Sequence, residues 1–330
     1  ATLIHTGNLV RIPWQEKLAD ELADITKMDR VFFGNSGAEA IECAFKIARI
    51  MGHQRGQETP GIIVMENSFH GRTMAALSAT GSRKVQAGFE PLVGGFLRAP
   101  FDDLEAIENI ARHSSGVTAV LAEPIQGESG VRVPSPGYLA GLRALCDEHG
   151  WLLILDEIQS GLCRSGRWYA HQHEDIRPDI LTTAKALANG LPIGACIAAG
   201  DAAEAMKPGQ HGSTFGGNPL VSRAACTVLN IMREEDIARR AAKTGEFMIQ
   251  ALRERLSSDT RVRDIRGRGL MIVIELHRDA SKVRQHAMEA GVLINVTQEK
   301  VIRLLPPLII DLEQAQEIVS VVSDSIEALD

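Results

Sequence analysis

Short apolar runs alternate with stretches of helical periodicity along the first two thirds of the chain. The runs are "VFF" at 31–33, "GIIVME" at 61–66, "TAVLAEP" at 118–124, "WLLILDE" at 151–157 and "DILTTAK" at 179–185, and helices are predicted from 37 and from 137. Continuous apolar strands separated by helices imply a mainly parallel sheet covered on both faces. Such open sheets take their ligands at the carboxyl ends of the strands, and Asp156 stands at one of those ends. At "FGGNPL", 215–220, two glycines and a proline break the pattern. A long amphipathic helix is then predicted, with Leu220, Ala224, Val228 and Met232 on one face. The boundary falls there, giving a large α/β domain at 1–217 and, at 218–330, a bridging helix with a smaller α+β domain. The second part reads as a helix over 236–256, a strand "LMIVIEL" at 270–276, a helix over 281–290 stopped by Gly291, and strands "VLINV" and "VIRLL". A final helix places Ala315, Ile318, Val319, Val322, Ile326 and Leu329 at helical spacing.

Composition narrows the class of function. At 330 residues and 45% hydrophobic content the chain can bury a large core and fits two domains better than one. The net charge of -7, from 35 basic and 42 acidic residues, comes without a run of lysine or arginine, which argues against nucleic acid as a partner. Five scattered cysteines show neither zinc-site spacing nor a disulfide framework, so a reducing, cytoplasmic setting and no metal are expected. No apolar run is long enough to cross a bilayer. The opening "ATLIHTGNLVRIPW" reads as mid-domain sequence, so an amino-terminal segment is expected ahead of it.

Candidate chemistry starts at "LLILDEIQSG", 152–161. An ionised Asp156 after Leu152, Leu153, Ile154 and Leu155 needs a cation or strong donors. An apolar strand ending in two acids also suits a magnesium-dependent nucleotide hydrolase, but the phosphate loop of that class, G-x-x-x-x-G-K-[ST], is absent. Pairing with an arginine is the structural alternative. In "LTTAKALANGLPIGA", 181–195, Lys185 follows another apolar strand. It either reaches to solvent along its stem or sits in a pocket, where a lysine forms Schiff bases. A buried acid and a buried lysine on neighbouring strand ends meet the two requirements of pyridoxal phosphate, a cation for the acid and an amine for the aldehyde. A phosphate site is available in "FFGNSGAEAIECAFKIAR", 32–49. The turn at Ser36, Gly37 and Ala38 opens a helix whose free amides and dipole favour an anion, although Ser36 and Glu39 also stand in capping-box spacing.

The series "NSGAEA", "FHGRT", "EPIQGE", "LLILDEIQSG", "TTAKAL", "HGSTFGGNPL", "RGRGLM" and "VIRLLPPL", in that order across the chain, resembles the class III pyridoxal-phosphate aminotransferases of the ornithine/acetylornithine type. The resemblance implies a fold-type I enzyme, a homodimer with shared active sites, and transfer of the terminal amino group of N-acetylornithine to 2-oxoglutarate by a ping-pong mechanism. Ornithine, succinylornithine or 4-aminobutyrate as donor, and a non-catalytic subunit keeping only the fold, are the alternatives. By resemblance Lys185 is the cofactor lysine and proton carrier, Asp156 the partner of the pyridine nitrogen, and Gln159 a neighbour of the phenolic oxygen. Phe69 resembles the residue stacked on the ring, with a simple core role as alternative, and Ser36, Gly37 and Ala38 match the phosphate loop. Ser213 and Thr214 resemble a stretch that reaches the neighbouring subunit's phosphate. Arg303 resembles the α-carboxylate binder and Arg72 the arginine for a second carboxylate; bidentate guanidinium forks suit both tasks. Glu128 matches a gate that pairs with the Arg303 position when one carboxylate is present, and Glu123 a support behind the site. Leu162, Cys163, Ala188 and Asn189 depart from the family pattern, and Cys163 reads as an inert small residue. The segment ahead of residue 1 is expected to help line the substrate pocket. His70, where ornithine-type relatives carry a larger aromatic residue, favours an acylated donor.

Overall fold

Seven strands build the larger sheet of the computed structural model, which describes residues 3–329. They are β1 (Arg30–Gly34), β2 (Gly61–Met65), β3 (Phe96–Ala99), β4 (Val117–Ala122), β5 (Leu152–Asp156), β6 (Ile180–Thr183) and β7 (Gly194–Ala198), in the spatial order β1-β7-β6-β5-β4-β2-β3. The five strands from β3 to β6 run parallel, and β7 joins β6 and β1 antiparallel. The sheet is therefore mainly parallel, as its apolar runs required.

Every residue of β2, β4 and β5 is buried, because side chains alternate between two helical layers. Ile62, Val64, Leu121 and Ile154 pack with Ile41, Ala44, Phe45 and Ala48 of the helix Gly37–Gln54. Ile63, Met65, Val120, Leu153 and Leu155 face the other way, against Leu139, Leu142 and Cys146 of the helix Tyr138–His149. Each buried aliphatic side chain contributes roughly 1.5–3 kcal/mol. Two strands are not evident from the sequence. β3 is four residues long and carries Arg98, while β7, "GACIA", has one β-branched residue.

The chain packs as two compact units. Residues up to Pro124, Pro134–Gln159 and His171–Ile231 form the first; Ile125–Val133, Ser160–Ala170 and the chain from Met232 onward form the second. Two short excursions thus belong to the second unit, and its last boundary falls inside the helix Pro219–Glu234, where the sequence placed one cut between 217 and 218. In that helix Val221, Ala225 and Leu229 are the deeply buried stripe. Of the expected stripe of Leu220, Ala224, Val228 and Met232, Met232 is buried and the other three, one position away, are half-buried; the apolar arc is wide enough to allow either reading. The second unit's sheet is antiparallel, with β8 (Val262–Arg268), β9 (Met271–Leu276), β10 (Asn295–Thr297) and β11 (Val301–Leu304) in the order β10-β11-β9-β8. Ile272, Ile274, Ile302 and Leu304 pack under the helices Ile237–Arg255 and Leu312–Glu327. Met271, Val273 and Val301 face Ile125, Val131 and Ala170.

Candidate active site

Asp156 ends β5 and is only 3% exposed. Its Oδ2 accepts from Nδ1 of His70 at 2.7 Å, and its Oδ1 from the amide of Ile158 at 3.1 Å and the hydroxyl of Thr182 at 3.4 Å. Among the described residues no lysine or arginine pairs with it. The donors are those a carboxylate needs to stay in an apolar layer, and with about four lone-pair sites it keeps capacity for a further donor. His70 is itself buried, and its Nε2 has no hydrogen-bond partner. A residue expected to bear on donor choice is therefore enclosed against Asp156. The sequence offered a signal for this: a strand-end acid demands a donor, and His70 adjoins Phe69 in a motif already assigned to the same site.

Asp156 pairs in register with Thr182 of β6, and Lys185 follows three residues later with a left-handed backbone, φ 41°. Its side chain is exposed, not buried as the sequence implied, although Ala184 and Leu187 on either side of it are buried.

The turn at Ser36, Gly37 and Ala38 is formed as expected, with the helix Gly37–Gln54 starting at its second residue. The Ser36 hydroxyl accepts from the amide of Glu39 at 3.2 Å, while the Glu39 carboxylate turns to the amide of Asn35 at 2.8 Å. Capping leaves the helix's other first-turn amides without a partner within the helix, so they can serve an anion. Backbone and side chains press close around this turn. A Cβ at Gly194 would lie 2.1 Å from the Ser36 carbonyl oxygen, one at Gly37 2.7 Å from Ile158 Cδ1, and one at Gly71 3.0 Å from Ala38 Cβ. Asn35 Nδ2 also donates to Ser213 Oγ at 3.0 Å, so Ser213 is tied to this turn in its own chain; Thr214 is exposed.

Phe69 is half-buried, its amide donating to Glu123 Oε1 at 2.9 Å, and the exposed Arg72 carries its guanidinium carbon 5.7 Å from the Phe69 ring centre. Glu123 thus supports the Phe69 turn from behind. Gln159 lies half-buried just past β5. Glu157, passed over in the sequence, is fully buried and accepts from the amide and Nδ1 of His171 at 2.8 and 3.0 Å. These residues fit pyridoxal phosphate: an anion cradle without room for extra carbon, and a buried carboxylate without a lysine or arginine, suited to a protonated ring nitrogen.

Within the second unit, Arg303 on β11 donates from Nη1 to Glu128 Oε1 at 2.8 Å and to the Gly127 carbonyl at 3.1 Å. Arg303 is 8% exposed and its Nε has no hydrogen-bond partner. This is the expected arginine–glutamate pair.

The remaining candidates carry less. All five cysteines are free and buried. Burial pushes the Cys163 thiol up to about 12, which makes it inert, as expected. The sequence missed a contact between Cys43 and Cys196, whose shared hydrogen bond, with His211 and Lys46 nearby, draws Cys43 below the ordinary thiol range. No acid, cysteine and histidine cluster suited to a metal occurs among the described residues, and no described helix is long and apolar enough to cross a membrane.

Comparison with known proteins places these motifs in context. The family described as aminotransferase class-III matches residues 1–326. The acetylornithine aminotransferase of Nitrosomonas europaea is 52% identical over 323 residues, 98% of this chain and 82% of that protein. Among solved structures, the ornithine aminotransferase of Toxoplasma gondii, described as having partial occupancy of PLP at its active site, superposes with a TM-score of 0.95. It has 36% identity and the match covers 99% of this chain and 79% of that one. The acetylornithine aminotransferase of Elizabethkingia anophelis gives a TM-score of 0.88 at 32% identity, covering 99% and 82%.

Proposed function

The chain belongs to the class-III aminotransferases, pyridoxal-phosphate-dependent enzymes of amino acids and keto acids, and from that premise we propose that it moves the terminal amino group of N-acetylornithine to 2-oxoglutarate. The observation that carries the chemistry is Asp156, a carboxylate 3% exposed and held by His70, Thr182 and a backbone amide, with no lysine or arginine partner among the described residues. The donor follows from the 52% identity to an acetylornithine aminotransferase. His70 lends no support to that choice.

Pyridoxal phosphate, when bound, supplies the aldehyde that receives the amino group and a ring that withdraws electrons. Ser36, Gly37 and Ala38 would hold its phosphate through first-turn amides and the helix dipole, and Phe69 and Gln159 would contact its ring. Asp156 would keep its nitrogen protonated. Lys185 would anchor the group and carry the proton to and from the donor's amine-bearing carbon. Glu123 fixes the Phe69 turn. Arg72 and Arg303 take substrate carboxylates, and Glu128 neutralises Arg303 when the substrate brings only one. The exposed Thr214 and Phe215, the latter 57% exposed, support a homodimer in which this stretch, with Ser213, meets the neighbouring subunit. A division of labour between residues 1–217 and 218–330 and a cytoplasmic location complete the proposal.

The test is the absorption spectrum of the loaded protein during alternate addition of N-acetylornithine and 2-oxoglutarate, followed by kcat/KM across four donors. Loss of the violet band with donor and its return with 2-oxoglutarate are expected, with parallel initial-rate lines. Higher kcat/KM for free ornithine overturns the donor, and a protein that never takes up the cofactor supports the non-catalytic alternative.

A further inference from the structure

We propose that Arg266, in the "RGRG" segment of β8, is a positioning residue that holds the Glu128 loop against Arg303 and so sets the balance between substrates with one carboxylate and substrates with two. The inference rests on the gate role proposed for Glu128.

The loop is the tip of a tight hairpin. Gln126 and Arg132 exchange backbone hydrogen bonds of 3.1 and 3.0 Å, and residues 127–131 turn between them. The turn is strained: Val131 has φ 43°, a region unfavourable for a β-branched residue, and Gly130 has φ 90°. Strain of that kind persists only where neighbours impose it. Arg303 holds one side through the Gly127 carbonyl at 3.1 Å. Arg266 holds the other, with Nη2 donating to the Gly130 carbonyl at 2.7 Å and Nε to the Val131 carbonyl at 3.3 Å. A guanidinium can grip two consecutive carbonyls because its donors are fixed in one plane.

The grip is itself braced. Nη1 of Arg266 faces Glu275 Oε2 at 2.7 Å and Asp264 Oδ2 at 2.9 Å, so its charge is neutralised away from the loop. A Cβ at Gly130 would meet Arg266 Nη2 at 3.3 Å and Val301 Cγ1 at 3.2 Å. Glu128 therefore lies between two arginine anchors, and only the Arg303 anchor is contested by substrate. When a dicarboxylate occupies Arg303, Glu128 must leave; Arg266 keeps the loop in register for its return. Loosening Arg266 weakens the Glu128–Arg303 pair. That favours the dicarboxylate, while the one-carboxylate donor is left with a buried, poorly compensated guanidinium.

The experiment measures both half-reactions of the loaded enzyme by stopped flow, with glutamate and with N-acetylornithine, and the Kd of glutarate by calorimetry. The variants are Arg266→Gln, Arg266→Lys, Glu128→Gln and the double variant Arg266→Gln/Glu128→Gln. The ratio of kcat/KM for glutamate to that for N-acetylornithine is expected to rise about tenfold in Arg266→Gln and less in Arg266→Lys, with tighter glutarate binding. Once Glu128→Gln is present, adding Arg266→Gln should move the ratio less than about twofold, because both act on one pair. Equal loss in the two half-reactions, or full additivity in the double variant, means Arg266 is merely structural and overturns the inference. Should Arg266→Gln not fold, an unchanged ratio in Arg266→Lys does the same. A ratio unmoved by Glu128→Gln overturns the gate reading and this inference with it. A ratio moved by Glu128→Gln but not by Arg266→Gln overturns this inference alone.

Discussion

Gly194→Ala isolates the link between sheet packing and the phosphate turn. Gly194 starts β7 opposite Gly34, and the added Cβ would stand 2.1 Å from the Ser36 carbonyl oxygen and 2.6 Å from its carbon. Both neighbours are backbone, so no side chain can rotate away. That same carbonyl accepts the first helical bond from the Ala40 amide at 3.2 Å, so the turn cannot retreat without loosening the helix start. Overpacking of this kind costs about 1–3 kcal/mol. If the strain is relieved by moving the turn out of its phosphate-binding shape, the dissociation constant for pyridoxal phosphate rises roughly 5- to 150-fold. The assay is cofactor titration by absorbance or intrinsic fluorescence, with thermal unfolding measured in parallel. Gly94→Ala serves as the control, since a Cβ there meets nothing within 4 Å. A lowered Tm with unchanged cofactor affinity would refute the phosphate role of Ser36–Ala38, and wild-type values for both would refute the packing argument.

Lys185→Ala should abolish the violet band and lower turnover by about 10²–10⁴-fold, the range for losing a general acid–base, while an exposed side chain predicts a stability change within about 0.5 kcal/mol by chemical denaturation. Asp156→Asn preserves shape but removes the charge proposed to face the ring nitrogen. The expected loss is about 10²–10³-fold in kcat, and kcat within twofold of wild type would sink the assignment. His70→Ala strips Asp156 of its 2.7 Å donor, and destabilisation of about 1.5–3 kcal/mol is expected in urea unfolding. Burial pushes the thiols of Cys146 and Cys163 up to about 12, so the folded chain keeps protons that the unfolded chain releases. The stability they provide is complete below the ordinary thiol range and is lost as pH rises through it towards 12. Cys146→Ala/Cys163→Ala should flatten that alkaline decline in denaturant midpoints, and an unchanged slope would count against the assignment.

What the sequence made legible, and what it hid, follows from how far each interaction reaches along the chain. The apolar runs of β2, β4 and β5 are local signals, as is the Ser36 start of the helix Gly37–Gln54, and all four elements stand where the pattern put them. Asp156 was legible because an acid closing an apolar strand contradicts its surroundings, and the contradiction calls for a function whatever the fold. Its partner was marked only indirectly, through the motif it shares with Phe69, since His70 lies 86 residues away and the pair exists only once β5 and the turn after β2 are brought together. The same holds for Cys43 with Cys196, and for Arg266 with the Gly130 and Val131 carbonyls, a contact spanning 135 residues or more. The exposure of Lys185 was misread for a different reason. A lysine after an apolar strand carries no signal of which way the following turn aims it, and past the end of β6 at Thr183 the chain buries Ala184 and Leu187 but leaves Lys185, with φ 41°, exposed. A motif thus names the residues of a site, whereas their burial and mutual support depend on distant backbone. For this chain that support falls largely to groups to which the motifs gave no such role: His70 beneath Asp156, β7 against the Ser36 turn, and, as proposed, Arg266 behind Glu128.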